Sequence, residues 1–228
     1  VVLYHFEMPG LSGGFAGVDV FFVISGYLIG GILWRETRAT GRISLARFYI
    51  RRVKRLAPAF FAMALAASVI AWLVLLPFEF REYGKSLIAA TVYLSNVLFF
   101  RGAGYFDAAA ETKVLLHTWS LSVEEQFYIF LPLALLLLAR WPRVFVGTLW
   151  LCFAVSLVAS VWFTPSHQTA TFYLFPFRAW ELLAGVLLAI WSYGRAPFRA
   201  GAWISWLGLG LVIASLIFID AARGFPGW

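Results

Sequence analysis

The sequence predicts an all-α, polytopic membrane helix bundle, of about six or seven spans plus the end of an earlier one. Three observations predict it. Of the 228 residues, 62% are hydrophobic and 13% charged, and soluble domains carry roughly twice that charged fraction. Apolar runs of about twenty residues recur, the length at which a helix crosses ~30 Å of hydrocarbon. The basic residues are also clustered, with 8 of the 18 Lys and Arg between Arg35 and Arg55. That is the pattern of a loop kept on the cytoplasmic side of a membrane. The net charge of +7 therefore points to a membrane surface and not to nucleic acid.

Taken in order, Val1–Phe6 reads as the tail of a first span. Glu7–Gly14 reads as a loop, punctuated by Pro9-Gly10 and Gly13-Gly14. Phe15–Trp34 is a span with one acid, Asp19. Its Gly26 and Gly30 form a small-xxx-small face that admits a close neighbour, and Asp19, Val23, Gly26 and Gly30 share that face by spacing. Ser44 is expected to cap a short amphipathic helix running to about Ala57, with Leu45, Phe48, Tyr49 and Leu56 toward lipid. Leu56–Leu76 is the next span, with Pro58 in its first turn.

Tyr83–Phe100 is shorter and carries Lys85, Ser86, Thr91, Ser95 and Asn96. If it crosses fully, the basic pairs Arg140/Arg143 and Arg195/Arg199 fall outside. If it is re-entrant, both pairs are cytoplasmic, and charge counting favours this version. A loop, Arg101–His117, precedes spans at Trp119–Ala139, Val144–Phe163, Phe172–Tyr193 and Ala202–Ala222. No internal repeat is evident. The chain opens on apolar Val1-Val2-Leu3 without Met and closes on Gly224-Phe225-Pro226-Gly227-Trp228, so residues 1–228 are expected to be one domain truncated at both ends. The single cysteine, Cys152, excludes an internal disulfide and is expected to be a buried, inert thiol. No Cys/His cluster has metal-ligand spacing, and no metal is expected.

The polar islands within apolar sequence carry the chemistry. Trp119-Ser120-Leu121-Ser122-Val123-Glu124-Glu125-Gln126 sets two carboxylates at the mouth of a membrane helix, a functional site by default. The competing reading is a solvated helix start, capped by Ser120 or Ser122 with the acids in the first turn. His5 is either an interfacial residue or the best general base available. Asp19 is either a boundary acid or the partner that orients His5 across the Glu7–Gly14 turn. Arg51, Arg52 and Arg55 are either topogenic charge or guanidinium forks converging on phosphates. Arg178 and Glu181, spaced i,i+3, are a structural ion pair or part of a substrate site. His117 adds a second histidine before the Glu pair, and His167 reads as a solvated loop residue. No Walker loop, dinucleotide fingerprint or Gly-x-Ser-x-Gly elbow occurs.

Four blocks then resemble the signatures of the acyltransferase 3 family, in the family's order. They are Gly13-Gly14-Phe15-Ala16-Gly17-Val18-Asp19-Val20-Phe21-Phe22-Val23-Ile24-Ser25-Gly26-Tyr27-Leu28-Ile29, Tyr49-Ile50-Arg51-Arg52-Val53-Lys54-Arg55-Leu56-Ala57-Pro58, His117-Thr118-Trp119-Ser120 through Tyr128, and Phe177-Arg178-Ala179-Trp180-Glu181-Leu182-Leu183-Ala184-Gly185. The resemblance implies a bacterial inner-membrane enzyme that O-acetylates envelope sugars such as lipopolysaccharide O-antigen or peptidoglycan. It implies acyl-CoA, expected to be acetyl-CoA, as donor, and a glycan or lipid-linked sugar as acceptor. Some members carry an added extracytoplasmic SGNH-type domain. The family also has an arginine upstream of a histidine in its first span; His5 matches the histidine, and the arginine would precede Val1.

On this reading His5 takes the acceptor's proton or relays the acyl group, and Asp19 or Glu7 orients it. Arg51, Arg52 and Arg55 hold the CoA phosphates. Glu124, Glu125, His117, Trp119, Ser120, Arg178 and Glu181 line the polar interior. A transporter or flippase of envelope precursors is the alternative, with Arg178, Glu181 and Glu124 as the carrier's site; a membrane sensor is a third.

Overall fold

The computed structural model describes residues 13–103, 113–138, 140–195 and 203–219, and the described residues are helical throughout apart from turns. A 3-10 turn, Gly14–Ala16, leads into α1 (Gly17–Thr40). There follow α2 (Leu45–Val74), α3 (Pro77–Thr91), α4 (Ser95–Arg101), α5 (Thr118–Leu138), α6 (Pro142–Tyr173), α7 (Phe175–Ser192) and α8 (Trp203–Phe218). Among the described residues, five helices are long and apolar enough to cross a membrane: α1 with its 3-10 turn, α2, α5, α6 and α7. α8 is apolar but spans only 16 residues. The bundle is therefore polytopic, as the composition requires.

α1 and α7 form its centre. They run parallel, because Gly26 faces Leu182 and, one turn on, Gly30 faces Val186. The small-residue face expected on α1 meets a matching Gly185 on α7. A Cβ added at Gly26 would lie 1.9 Å from the Leu182 carbonyl oxygen, and one at Gly185 would lie 2.0 Å from that of Val23. No side chain fits between backbones this close, so glycine sets the spacing of the two helices. Phe22, Leu33, Val123, Leu182 and Val186 fill the core around this seam. α6 is joined to the start of α7 through Ser156, whose hydroxyl donates to the Pro176 carbonyl (2.6 Å) and accepts from the Trp180 amide (3.0 Å).

Several elements differ from expectation. The Ser44 cap is present, its hydroxyl accepting from the Arg47 amide. The amphipathic helix and the span that follows, however, are one helix that passes through Pro58. Phe48 and Tyr49 do not face lipid. Phe48 is buried and packs edge-on against Tyr128, and the Tyr49 hydroxyl donates to the Tyr128 carbonyl. The stretch 164–171, expected as a loop, stays helical except at His167, where φ/ψ of −140°/47° kinks α6 two residues after Pro165. Cys152 is exposed on the apolar outer face of α6 and is not buried.

The short candidate span Tyr83–Phe100 is not a single helix. Tyr93, at φ 56°, separates α3 from α4, two helices of about 22 Å and 10 Å at 1.5 Å per residue. α3 lies against the outgoing end of α2, with the Tyr83 hydroxyl on Ser68 (2.7 Å) and the Ala64 carbonyl (3.3 Å). It reaches the level of Gln126, whose side-chain amide donates to the Tyr93 carbonyl at 2.9 Å. α4 begins beside Thr118 and Ser122 of α5 and runs back to the segment before α5, where the Lys113 ammonium donates to the Gly102 carbonyl. The segment enters and leaves at one end of the bundle, so it is re-entrant. Non-helical backbone at membrane depth survives only where protein satisfies it, and Gln126 does so here.

At the opposite end, Trp34 stacks on Phe145, with ring centroids 5.8 Å apart. This contact gathers Arg35, Arg38 and Arg42 with Arg140 and Arg143, and Arg195 follows the end of α7. Arg140, Arg143 and Arg195 thus share the end of Arg35, Arg38 and Arg42, the end that the charge rule assigns to the cytoplasm; Arg199 lies outside the described residues. In a Cys152→Ala background, Thr40→Cys and Trp141→Cys should resist a membrane-impermeant thiol reagent in intact cells while His167→Cys labels. Labelling at Trp141→Cys but not at Thr40→Cys would mean that 83–100 crosses the membrane.

Candidate functional site

Two arginines organise the polar interior, the buried Arg178 and the half-buried Arg52, each beside two carboxylates. Arg178, in the first turn of α7, contacts Asp19 of α1 through Nη2 and Glu181 through Nη1 at 3.2 Å. Arg178 and Glu181 are both 0% exposed. Phe22, Trp119 and Phe172 surround the guanidinium, their ring centroids 5.7–5.9 Å from its central carbon. A buried guanidinium loses its hydration, and only carboxylates at contact distance compensate for that loss.

The second cluster lies about 9 Å further along α1, by helix rise. Ser25 and Tyr128 both donate hydroxyl hydrogen bonds to Glu124 Oε1, and their own oxygens are 2.6 Å apart. Arg52 comes in from α2. Its Nη2 is 3.3 Å from Glu125 Oε1 and 3.9 Å from Glu124 Oε1, and its guanidinium lies over the Tyr128 ring at 4.1 Å. Stacking and charge pairing together suit an arginine better than a lysine. Gln126 and Asn96 fasten the re-entrant tip beside this cluster, at 2.9 Å.

Glu124 and Glu125 are 3% and 8% exposed. α5 starts at Thr118, so they fall in its second turn. The solvated helix-start reading is thereby excluded. Among the described residues, Ser120 donates to the His117 carbonyl within its own turn, at 3.2 Å. His117 precedes α5, and partial burial holds its imidazole below the ordinary pKa, which leaves it neutral at pH 7. Trp119 is buried and is one wall of the Arg178 site.

The three guanidinium forks do not converge. Arg52 turns into the bundle, Arg51 pairs with Glu36 at 3.7 Å on the surface, and Arg55 is exposed. Successive residues on a helix point about 100° apart, so Arg51 and Arg52 cannot both face Glu125. His5 and Glu7 lie outside the described residues; of the expected His5–Asp19 pair, only Asp19 is described, and it binds Arg178. Sequence reasoning misses Ser25, Tyr49 and Tyr128 as site residues. Tyr128 has a usable signal, its i,i+4 spacing from Glu124. Ser25 has none outside its block.

The Arg178 site predicts a charge-compensation pattern. Arg178→Met should destabilise the protein by about 3–5 kcal/mol, the cost of stranding buried carboxylates. Adding Asp19→Asn and Glu181→Gln should recover much of that loss in a detergent thermal-unfolding assay. A triple variant less stable than Arg178→Met alone would contradict the assignment.

Comparison with known proteins shows the family of the chain. The family model described as an acyltransferase domain matches residues 1–226. The chain is 33% identical over 229 residues to the peptidoglycan O-acetyltransferase OatA of Listeria monocytogenes, covering 96% of this chain and 37% of that protein. It is 40% identical over 182 residues to an uncharacterized protein of Haemophilus influenzae, covering 76% and 74%. It is 36% identical over 206 residues to a putative O-acetyltransferase of Staphylococcus aureus, covering 87% and 33%. The chain thus spans about a third of the length of two of these relatives. No solved structure matches it. The match over nearly its whole length shows that the chain belongs to the acyltransferase 3 family.

Proposed function

We propose that this chain is membrane machinery of an O-acyltransferase. It takes an acyl group, acetyl in the first instance, from cytoplasmic acyl-CoA and delivers it to a hydroxyl of an extracytoplasmic envelope glycan or lipid-linked sugar. The observation that carries this reading is the buried Ser25–Glu124–Tyr128–Arg52–Glu125 cluster, in a chain of acyltransferase family. Polar groups are costly inside a bilayer and persist where they serve a substrate or ion path. The relative named for peptidoglycan O-acetylation makes a peptidoglycan sugar the first acceptor to test, with O-antigen sugars second. A bacterial cytoplasmic membrane and an SGNH-type domain elsewhere in a longer protein belong to the same proposal.

The roles follow from the chemistry. A sugar hydroxyl must lose its proton as the ester forms, and histidine transfers protons reversibly near neutral pH. His5 is that base or the acyl relay, with Asp19 or Glu7 to orient it. Glu124 and Glu125 set the charge of the interior, and Arg52 is the fixed cation that keeps both carboxylates beside the hydroxyls of Ser25 and Tyr128. Arg51 and Arg55, at the surface, serve the donor's phosphates. Asp19, Arg178 and Glu181, walled by Trp119, form the polar region on the acceptor side, with His117 and Ser120 at its rim.

The test is mass spectrometry of envelope glycans from cells expressing the full-length protein. His5→Gln should lower O-acylation by about 100-fold or more, the usual contribution of a general base, with membrane insertion intact. Glu124→Gln should lower it as well. Wild-type acylation in the His5→Gln variant would remove His5 as base and move the search to His117, and no change on deleting the whole gene would end the transferase reading.

A further inference from the structure

A notch opens at the cytoplasmic end of the bundle, between the last turns of α1 and α5 and the first turn of α6. It has a volume of about 220 Å³ and is lined by Trp34, Thr37, Arg38, Leu138, Pro142 and Phe145. Its floor is aromatic, since Trp34 is buried and stacked on Phe145. Its rim is cationic. The Arg38 guanidinium stands over the Trp34 ring at 5.8 Å, and Arg42, Arg140 and Arg143 are exposed close by in sequence.

Among the described residues, none of these four arginines lies within ion-pair distance of a carboxylate. The one acid of the basic segment, Glu36, is already engaged by Arg51 and by the Ser44 amide (3.3 Å). A concave site with an apolar floor and an uncompensated guanidinium at its lip recognises an anion carried on an apolar or aromatic body. Guanidinium binds phosphate oxygens in pairs, and basic pockets between helices on the cytoplasmic side suit phosphate headgroups.

We propose that this notch binds a phosphate ester, with Arg38 as its principal ligand. Two molecules offer that chemistry here, the nucleotide end of the acyl donor and the headgroup of an anionic lipid. The donor option rests on the function proposed above, and the phosphate site itself does not. Ser25 lies 13 residues before Arg38 on α1, about 20 Å by helix rise. A bound nucleotide would therefore need an extended arm to bring its thioester to the buried cluster, and the pantetheine chain of CoA is such an arm.

The test uses the full-length protein in nanodiscs. CoA binding is measured by calorimetry in phosphatidylcholine alone, and retention of phosphatidylglycerol is measured by native mass spectrometry from mixed lipid. Arg38→Gln removes the cation, and Leu138→Trp fills the notch while keeping the charge; Arg81→Gln, at the far end, is the control. Both notch variants should lose about tenfold or more for at least one ligand, the effect of removing a charge-assisted phosphate contact. Loss for CoA identifies the donor as occupant, and loss for phosphatidylglycerol identifies the lipid. Unchanged binding of both ligands in both variants would overturn the proposal. Because neither readout requires transfer, a failure here is distinct from a failure of the transferase reading.

Discussion

Arg178 is a guanidinium with no exposed surface in an apolar bundle, and much of the architecture follows from that fact. An uncompensated charge there would cost several kcal/mol. Its two carboxylates come from different places, Glu181 one turn along α7 and Asp19 on α1. Asp19 can reach it only if α1 and α7 lie nearly in backbone contact, and Gly26 and Gly185 permit that approach. The ion pair and the glycine seam are thus one constraint. The same seam holds Ser25 at the depth of Glu124, so the second polar cluster depends on the first.

The second constraint comes from the re-entrant segment. Its broken backbone at Tyr93 needs a partner at membrane depth, and Gln126 supplies one. Gln126 sits next to Glu125, so the residue that satisfies the loop is part of the block that carries the acids. α2 is held more loosely. Much of its surface faces outward; its first half joins α5 through Phe48, Tyr49 and Arg52, and its second half meets Tyr83 of α3 through Ala64 and Ser68. The tie between α2 and α5 is the Phe48 and Tyr49 contacts with Tyr128 together with the pairing of Arg52 with the two glutamates. This arrangement couples the position of a whole helix to the charge of the interior.

Much of the fold is legible in the sequence. The apolar runs, the small face of α1, the Ser44 cap and the charge argument for re-entry all rest on local physics. Other features are not legible there. Nothing around Tyr93 marks a positive φ, because neither glycine nor asparagine stands there. Pro58 reads as a first-turn proline only if a helix begins near it. The helix begins thirteen residues earlier, and a membrane helix tolerates such a proline. Of Arg51, Arg52 and Arg55, only the position of Glu125, 73 residues away, decides which one turns inward. The pairing of Asp19 with Arg178 spans 159 residues; composition marks both as costly residues and not as partners.

In the proposed acyl transfer, Arg52 and the Glu124–Glu125 pair would act as one unit. A double-mutant cycle tests it most directly, with transfer measured on the reconstituted full-length protein for Arg52→Met, Glu125→Gln and the pair together. If the residues act as one unit, each single change lowers transfer and the double variant is no worse than the poorer single, a strongly non-additive result. Losses that simply multiply, or wild-type transfer in either single variant, would contradict it.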